Sequence, residues 1–280
     1  MDTHIHQSAD IILGKIPGFK PKIAVVLGSG LGAVANLLDE KARIPYTDLP
    51  GFPLPAVEGH EGSLRLGYVD GVPALFLKGR VHLYEGGGFE PLKIMIRTLK
   101  TAGIETLFLT NAAGSLRKEY GPGSLVAVAD HLNLTGTSPL VGRNDDQWGP
   151  RFPGMENAWC RDARAFVLET AAKQNIPMGE GVFGGLLGPC FETLAEIRML
   201  KTLGADTVGM SMVAENIVAV HCGLPCVGVS AITNLAAGMS DVPLSHEQTL
   251  QGAKLAEQNM ARLVRGFITG WTARQQQKAA

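Results

Sequence analysis

The chain has 280 residues, 45% of them hydrophobic, and a formal net charge of -1. This length supports a sizeable buried core, and a single α/β domain over residues 1–280 is expected because no linker-like stretch divides the chain. The near-zero charge and the lack of a Lys/Arg run argue against a nucleic-acid or membrane surface and favour small-molecule chemistry.

The N-terminal segment, residues 1–20, has no basic start followed by an apolar region, so no signal peptide is predicted. No apolar run reaches the roughly 18 residues that a membrane span needs. The four cysteines form no CxxC pair and no zinc-type spacing with histidine. These features predict a cytoplasmic protein with reduced thiols and no bound metal.

The first strand is predicted at residues 22–27, KIAVVL, followed by the glycine turn 28–32 and a helical pattern, LGAVANLLD. A strand, a glycine turn and a helix N-terminus favour an anion. Three readings stay open: a phosphate or other small anion, a dinucleotide, or a structural turn. A dinucleotide site needs an acid about 20 residues further on, where this chain is proline-rich.

Strands at residues 63–69 and 72–78 flank Asp70-Gly71, a strong hairpin signal. Arg80, His82 and Tyr84 then occupy alternate positions, which places three polar side chains on one face of an extended segment. A triple glycine follows at residues 86–88. The segment is either a mobile flap over a site or a solvated strand end.

Alternating helices and strands make up the rest of the chain and indicate a largely parallel sheet, with its sites at the carboxyl ends of strands. Residues 130–157 are rich in turn formers and predict a functional loop or a subunit contact. The predicted elements are a helix at 90–102, a strand at 105–110 with a turn at 111–115, a helix at 158–174, a strand at 181–185, a helix at 194–203, a helix at 213–222, a strand at 225–232, a terminal helix capped by Ser245, and a frayed polar tail at 273–280.

Polar groups follow the predicted strands and would form two sites if those strand ends meet. Ser29, Arg80, His82, Ser211 and the backbone N–H of Ala112 would make a cradle for a tetrahedral oxyanion without a metal. Glu192 and Asn234 would supply one carboxylate and one amide, a pair suited to the edge of a heterocycle.

This set of residues resembles the trimeric, low-molecular-mass family of purine nucleoside phosphorylases. The resemblance covers nearly the whole chain in family order, and its motifs together are highly specific. They are LGSGLG (27–32), GHEG (59–62), KGRVHLYEG (78–86), TNAAGS (110–115), GPCFET (188–193), VGMSMVAE (208–215), AITN (231–234) and SHEQ (245–248).

The resemblance implies a mixed α/β fold with a distorted central barrel surrounded by helices, assembled as a homotrimer. It implies purine salvage by a pentosyltransferase with no cofactor and inorganic phosphate as co-substrate. It also implies a role for each matched residue: Ser29, Arg80, His82, Ala112 and Ser211 at phosphate; Phe191, Glu192, Thr233 and Asn234 at the base; Tyr84, Met210 and His246 at the ribose; Phe152 over a neighbouring subunit's ribose; and His60 either as a gate or as a residue that supports the ligand-contacting ones from behind. Glu192, Asn234 and His82 would carry the catalysis.

Asn234 also bears on substrate choice, because an amide can donate to a 6-oxopurine whereas an ionised aspartate only accepts. Inosine and guanosine are therefore expected over adenosine. Leu235, Cys190 and Ala214 depart from common family residues, and the NLAAGMSD stretch is more like bacterial members, some of which accept xanthosine. The alternatives are a xanthosine-accepting variant, a dinucleotide-dependent oxidoreductase, a nucleoside hydrolase, or a nucleoside-binding protein without catalysis.

Overall fold

The computed structural model describes residues 1–55, 61–241 and 244–279. In these ranges nine strands and six α-helices alternate along most of the chain. The strands are β1 (Ile23–Leu27), β2 (Asp39–Pro45), β3 (Ser63–Val69), β4 (Val72–Lys78), β5 (Thr106–Ser115), β6 (Leu125–Asn133), β7 (Met178–Gly185), β8 (Thr207–Gly209) and β9 (Cys226–Leu235). The helices are α1 (Asp2–Gly14), α2 (Glu90–Thr101), α3 (Arg161–Lys173), α4 (Leu194–Thr202), α5 (Val213–His221) and α6 (His246–Ala279).

All nine described strands join one mixed sheet in the order β2-β3-β4-β1-β5-β8-β7-β6-β9. The ninth strand also pairs with β5 in parallel, from Leu107 opposite Cys226 to Ser115 opposite Leu235. This second pairing closes β5, β8, β7, β6 and β9 into a five-stranded barrel. The predicted mixed α/β fold with a distorted central barrel is therefore confirmed.

Helices cover both faces of the sheet, which explains why the sequence of β1 is apolar throughout. All five of its residues are buried. Ala24 and Val26 pack into the core that includes Ile5 of α1 and Leu99 of α2, whereas Val25 packs into the core that includes Phe267 of α6. A parallel strand buried on both faces needs apolar residues at every position rather than at alternate ones.

The predicted hairpin is confirmed at both of its strands. Asp70 and Gly71 have φ angles of 48° and 83°. Positive φ at both central residues is what a two-residue turn of type I′ requires, and Asp-Gly supplies it at little cost. β3 and β4 pair in register from Val69 opposite Val72 to Ser63 opposite Lys78.

Several predicted boundaries were wrong, each because a tertiary contact overrides the local pattern. The helix predicted after the first glycine turn is a 3-10 helix (Gly32–Leu37), after which the chain enters β2. No strand was predicted at β2, because it is a mostly exposed edge strand whose sequence carries no apolar alternation. The predicted turn at 111–115 is strand, because β5 stays paired with β9 to Ser115.

The long polar segment also begins later than predicted, since β6 stays paired with β7 as far as Asn133. The N-terminal segment is helical and packs on α2. The tail predicted to fray continues α6 to Ala279. In the described ranges no helix is both long and apolar enough to span a membrane.

Candidate active site

The polar segments that follow the strands surround a cavity of about 190 Å³. Every predicted site residue except Phe152 and His60 lines it. Phe152 is 87% exposed and lies outside the cavity lining, and His60 lies outside the described residues. The lining residues are Ser29, Arg80, His82, Tyr84, Asn111, Ala112, Ala113, Gly114, Pro189, Phe191, Glu192, Val208, Gly209, Met210, Ser211, Thr233, Asn234, His246 and Thr249.

Ser29 reaches the cavity because the turn after β1 packs directly on β5. The N–H of Gly28 donates to Thr110 Oγ1 at 3.1 Å, and a Cβ at Gly28 would lie 2.6 Å from the Cα of Asn111. Only glycine permits that approach. Because a short 3-10 helix follows the turn, the α-helix N-terminus expected to attract an anion is not formed here, and the Ser29 hydroxyl remains as a donor.

Arg80 is held in the cavity wall by a buried ion pair. Its Nε donates to Oε1 of Glu215 at 2.6 Å, and its Nη1 donates to the carbonyl oxygen of Thr110 at 2.5 Å. The side chains of Arg80 and Glu215 are only 2% and 4% exposed. These two contacts fix the plane of the guanidinium before any ligand arrives.

Glu215 was not among the predicted site residues. The available signal was an acid in the first turn of the largely apolar helix α5, where a charge is buried only if it has a partner.

His82 is positioned by Glu85, which the sequence reasoning also missed. The backbone N–H of His82 donates to Glu85 Oε1 at 2.6 Å, and Nδ1 of its ring lies 3.1 Å from the same oxygen. A carboxylate accepts hydrogen bonds, so this contact places the ring proton on Nδ1. The ring stacks on Tyr84 with centroids 4.8 Å apart, which fixes its orientation.

Glu192 and Asn234 form the second polar part of the cavity. Burial raises the pKa of the Glu192 carboxyl above its ordinary value. Oδ1 of Asn234 accepts from the Thr233 hydroxyl at 2.7 Å, and Nδ2 donates to the carbonyl oxygen of Leu235 at 3.0 Å. These contacts orient the amide and leave one of the two Nδ2 protons for a ligand. Gly114 permits the close packing, since a Cβ there would lie 3.2 Å from Asn234 Nδ2.

The loop that carries Glu192 ends at a capped helix. Thr193 Oγ1 accepts from the N–H of Glu196 at 3.2 Å, and Glu196 Oε2 accepts from the N–H of Thr193 at 2.7 Å. This capping box fixes where α4 begins and therefore where the preceding carboxylate lies. At the other side of the cavity Ser245 accepts from the N–H of Gln248 at 3.1 Å, so the predicted cap places His246 at the start of α6.

The cavity therefore combines an anion cradle with a carboxylate–amide pair in one enclosure. Hydroxyls, a guanidinium and an imidazole suit a tetrahedral oxyanion. The carboxylate and amide suit the edge of a planar heterocycle. No cluster of metal-binding side chains occurs among the residues that the structure describes.

Residues 22–269 match the family described as the phosphorylase superfamily. The chain is 40% identical over 268 residues to purine nucleoside phosphorylase 1 of Bacillus subtilis, covering 96% of this chain and 98% of that protein. It is 43% identical over 248 residues to the purine nucleoside phosphorylase of a Cellulomonas species, covering 86% and 84%.

The fold is similar to that of solved purine nucleoside phosphorylases. Isoform 2 from Schistosoma mansoni, in complex with cytosine and ribose-1-phosphate, superposes with a TM-score of 0.90 at 35% identity, covering 95% of this chain and 96% of that chain. An S. mansoni purine nucleoside phosphorylase in complex with inosine gives a TM-score of 0.89 at 33% identity, covering 95% of each chain.

Proposed function

The chain belongs to the purine nucleoside phosphorylase family of the phosphorylase superfamily, and on that premise we propose that it cleaves 6-oxopurine nucleosides with inorganic phosphate. The products are the free base and ribose 1-phosphate. The observation that carries the proposal is one cavity that joins an anion cradle to the Glu192–Asn234 pair. No cofactor is needed, because phosphate is the nucleophile and the protein supplies position and charge.

Phosphate binds at the end of the cavity formed by Arg80, His82, Ser29, Ser211 and the backbone N–H of Ala112. The ion pair with Glu215 supports this role, since it holds the guanidinium rigid and limits the entropy lost when the anion binds. The contact with Glu85 holds the His82 ring in place and favours the tautomer that carries its proton on Nδ1.

The base binds against Glu192 and Asn234, with Phe191 packed on the ring and Thr233 supporting the amide. Breaking the glycosidic bond builds negative charge on the purine and positive charge on the ribose. Asn234, which donates to N7 or O6, stabilises that charge as it forms. Glu192 holds the N1–H edge, and phosphate on the opposite face attacks C1′ with inversion.

The ribose lies between the two ends, against Tyr84, Met210 and His246. All three side chains line the same cavity as the proposed phosphate and base residues, which supports this role. The resemblance implies that Phe152 contacts a neighbouring subunit's ribose in a homotrimer, and its 87% exposure is consistent with that role. The gate role of His60, the trimer and the cytoplasmic location stay predictions.

Substrate choice tests this proposal through Asn234. Wild-type enzyme should favour inosine and guanosine over adenosine in kcat/KM, because the Asn234 amide donates to the 6-oxo group. Asn234→Asp should shift the inosine-to-adenosine ratio toward adenosine. Asn133→Asp, at an exposed position of β6, makes the same chemical change outside the cavity and should leave the ratio as it is. An unchanged ratio in Asn234→Asp would contradict the assignment of the base site.

A further inference from the structure

The long segment between β6 and α3 is held at its middle by the end of α5. His221 is the last residue of that helix and is 2% exposed, and its Nε2 lies 3.1 Å from Oδ1 of Asn144. Gly149 packs on the same residue, because a Cβ there would overlap the carbonyl oxygen of His221. Segment 144–149 is therefore docked on the C-terminal end of α5.

The same segment also packs on α1 and α2 through Trp148. Its Nε1 donates to Oδ1 of Asp2 at 3.3 Å, and Cζ of Arg97 lies 5.1 Å from the centre of the indole ring. Nε2 of Gln147 donates to Oδ2 of Asp2 at 2.5 Å. Contacts with three helices thus set the position of a segment that has no helix or strand of its own.

The hydrogen bonds of Asn144 identify which atom of His221 donates. Nδ2 of Asn144 donates to the carbonyl oxygen of Gly149 at 3.0 Å and to Oδ1 of Asp146 at 2.8 Å. Both amide protons are therefore used, and Oδ1 remains as the acceptor for the imidazole. The docking contact consequently needs a proton on Nε2 of His221.

The surroundings of His221 favour its neutral form. Burial and then the charge of Arg97 lower the pKa of the imidazole from its ordinary value of 6.5, and Lys93 of the same helix adds to this effect. The carbonyl of Pro150 and the carboxylate of Asp145, both in the polar segment, act in the opposite direction but are outweighed. A second proton on His221 would place one more positive charge beside Arg97 beneath the docked segment.

The docked segment leads directly to Phe152. Nη1 of Arg151 donates to the carbonyl oxygens of Leu140 and Gly142, at 3.0 Å and 2.9 Å, and its Cζ lies 5.8 Å from the centre of the Phe152 ring. Phe152 is thus packed on a side chain that ties the two ends of the loop together. Because Phe152 lies only three positions after Gly149, a shift of segment 144–149 would displace it.

We infer that His221 is a positioning residue, which holds segment 144–149 on α5 and thereby fixes the place of Phe152. The inference rests on the proposed function, in which Phe152 contacts the ribose. His221 itself is absent from the cavity lining. Nucleoside binding would then depend on the protonation of a residue that takes no part in the chemistry.

The test compares wild type with His221→Phe and His221→Gln. Phenylalanine keeps a planar ring but cannot donate to Asn144, whereas glutamine keeps an N–H donor and carries no titratable group. His6→Gln, at an exposed position of α1, is the control for the loss of a histidine.

Hydrogen exchange of the peptide covering residues 140–152 measures docking, and steady-state phosphorolysis of inosine measures its consequence. His221→Phe should lower the protection of this peptide about tenfold. It should raise the KM for inosine about three- to tenfold and change the KM for phosphate less than about twofold, because Phe152 serves the ribose. At neutral pH His221→Gln should stay close to wild type in each measurement, and so should His6→Gln.

The dependence on pH separates positioning from packing. Because the pKa of His221 in the folded protein is below 6.5, docking should be complete above pH 6.5 and should be lost as the pH falls below it. The KM for inosine should therefore rise more on acidification in wild type than in His221→Gln. Groups that titrate in the cavity are common to both enzymes and cancel from this comparison.

Wild-type protection of residues 140–152 in His221→Phe would overturn the inference. Lost protection with an unchanged KM for inosine, equal increases in both KM values, or the same pH dependence in wild type and His221→Gln would also overturn it. If His221→Phe does not fold, Asn144→Ala, which removes the acceptor instead, decides by the same measurements. If wild-type enzyme releases no base with phosphate, the proposed function fails, and hydrogen exchange still decides whether His221 docks the segment.

Discussion

Replacing Glu215 by alanine should lower the free energy of unfolding by about 3 kcal/mol, because it leaves the Arg80 guanidinium buried without its carboxylate. Breaking a buried pair by removing one partner costs about 3–5 kcal/mol. The lower end applies here, because Nη1 of Arg80 keeps its bond to the Thr110 carbonyl. Glu215→Gln should cost less, since its side-chain oxygen still accepts from Nε.

Glu215→Ala should also weaken phosphate binding, because the Arg80 guanidinium loses the contact that holds it in place for the anion. The rise in Tm at a fixed phosphate concentration is therefore expected to be smaller in Glu215→Ala than in wild type. This difference links the ion pair to the anion site. A general packing defect would not respond to phosphate in this way.

Urea denaturation measures the effect, with Glu119→Ala as the control. Glu119 pairs with Arg117 at the surface, where the side chains are 52% and 49% exposed, so its loss should cost less than about 1 kcal/mol. A Glu215→Ala enzyme that loses no more than the Glu119→Ala control would refute the reasoning from burial.

Two further predictions concern pH and packing. Burial raises the pKa of Glu192, so the carboxylate that binds the base should become protonated at a pH above the ordinary glutamate value of 4.5. Hypoxanthine binding, measured by calorimetry, should therefore weaken on acidification at a pH above 4.5, and Glu192→Gln should not show this loss. A loss of binding centred at 4.5 itself would contradict the assignment. Gly28→Ala should cost about 1–3 kcal/mol in urea denaturation, because its Cβ would lie 2.6 Å from the Cα of Asn111. Gly121→Ala, with nothing within 4 Å of the new Cβ, should lose little, and equal losses would argue against the close approach.

The site could be predicted from the sequence to the extent that it depends on where strands end. Arg80 follows β4, Ser211 follows β8 and Asn234 lies near the end of β9. These strands belong to one sheet, so the polar groups beside their ends meet in one cavity. The resemblance to the family then implied which of these polar groups bind the phosphate and which bind the base.

Contacts between distant parts of the chain could not be predicted in this way. Glu215 and Arg80 are 135 positions apart in the sequence, and no local pattern identifies them as partners. The 3-10 helix after the first glycine turn packs against α6. The turn itself does so too, since a Cβ at Gly30 would lie 2.5 Å from that of Ala253. Barrel closure depends on the three-residue strand β8, which is too short for a reliable periodic signal.

The most direct test of the account is the release of hypoxanthine from inosine by wild-type enzyme, with and without inorganic phosphate. We expect release only with phosphate, with one ribose 1-phosphate formed for each hypoxanthine. Release at the same rate without phosphate would indicate hydrolysis, and no release in either condition would indicate binding without catalysis. Either result would contradict the proposed function.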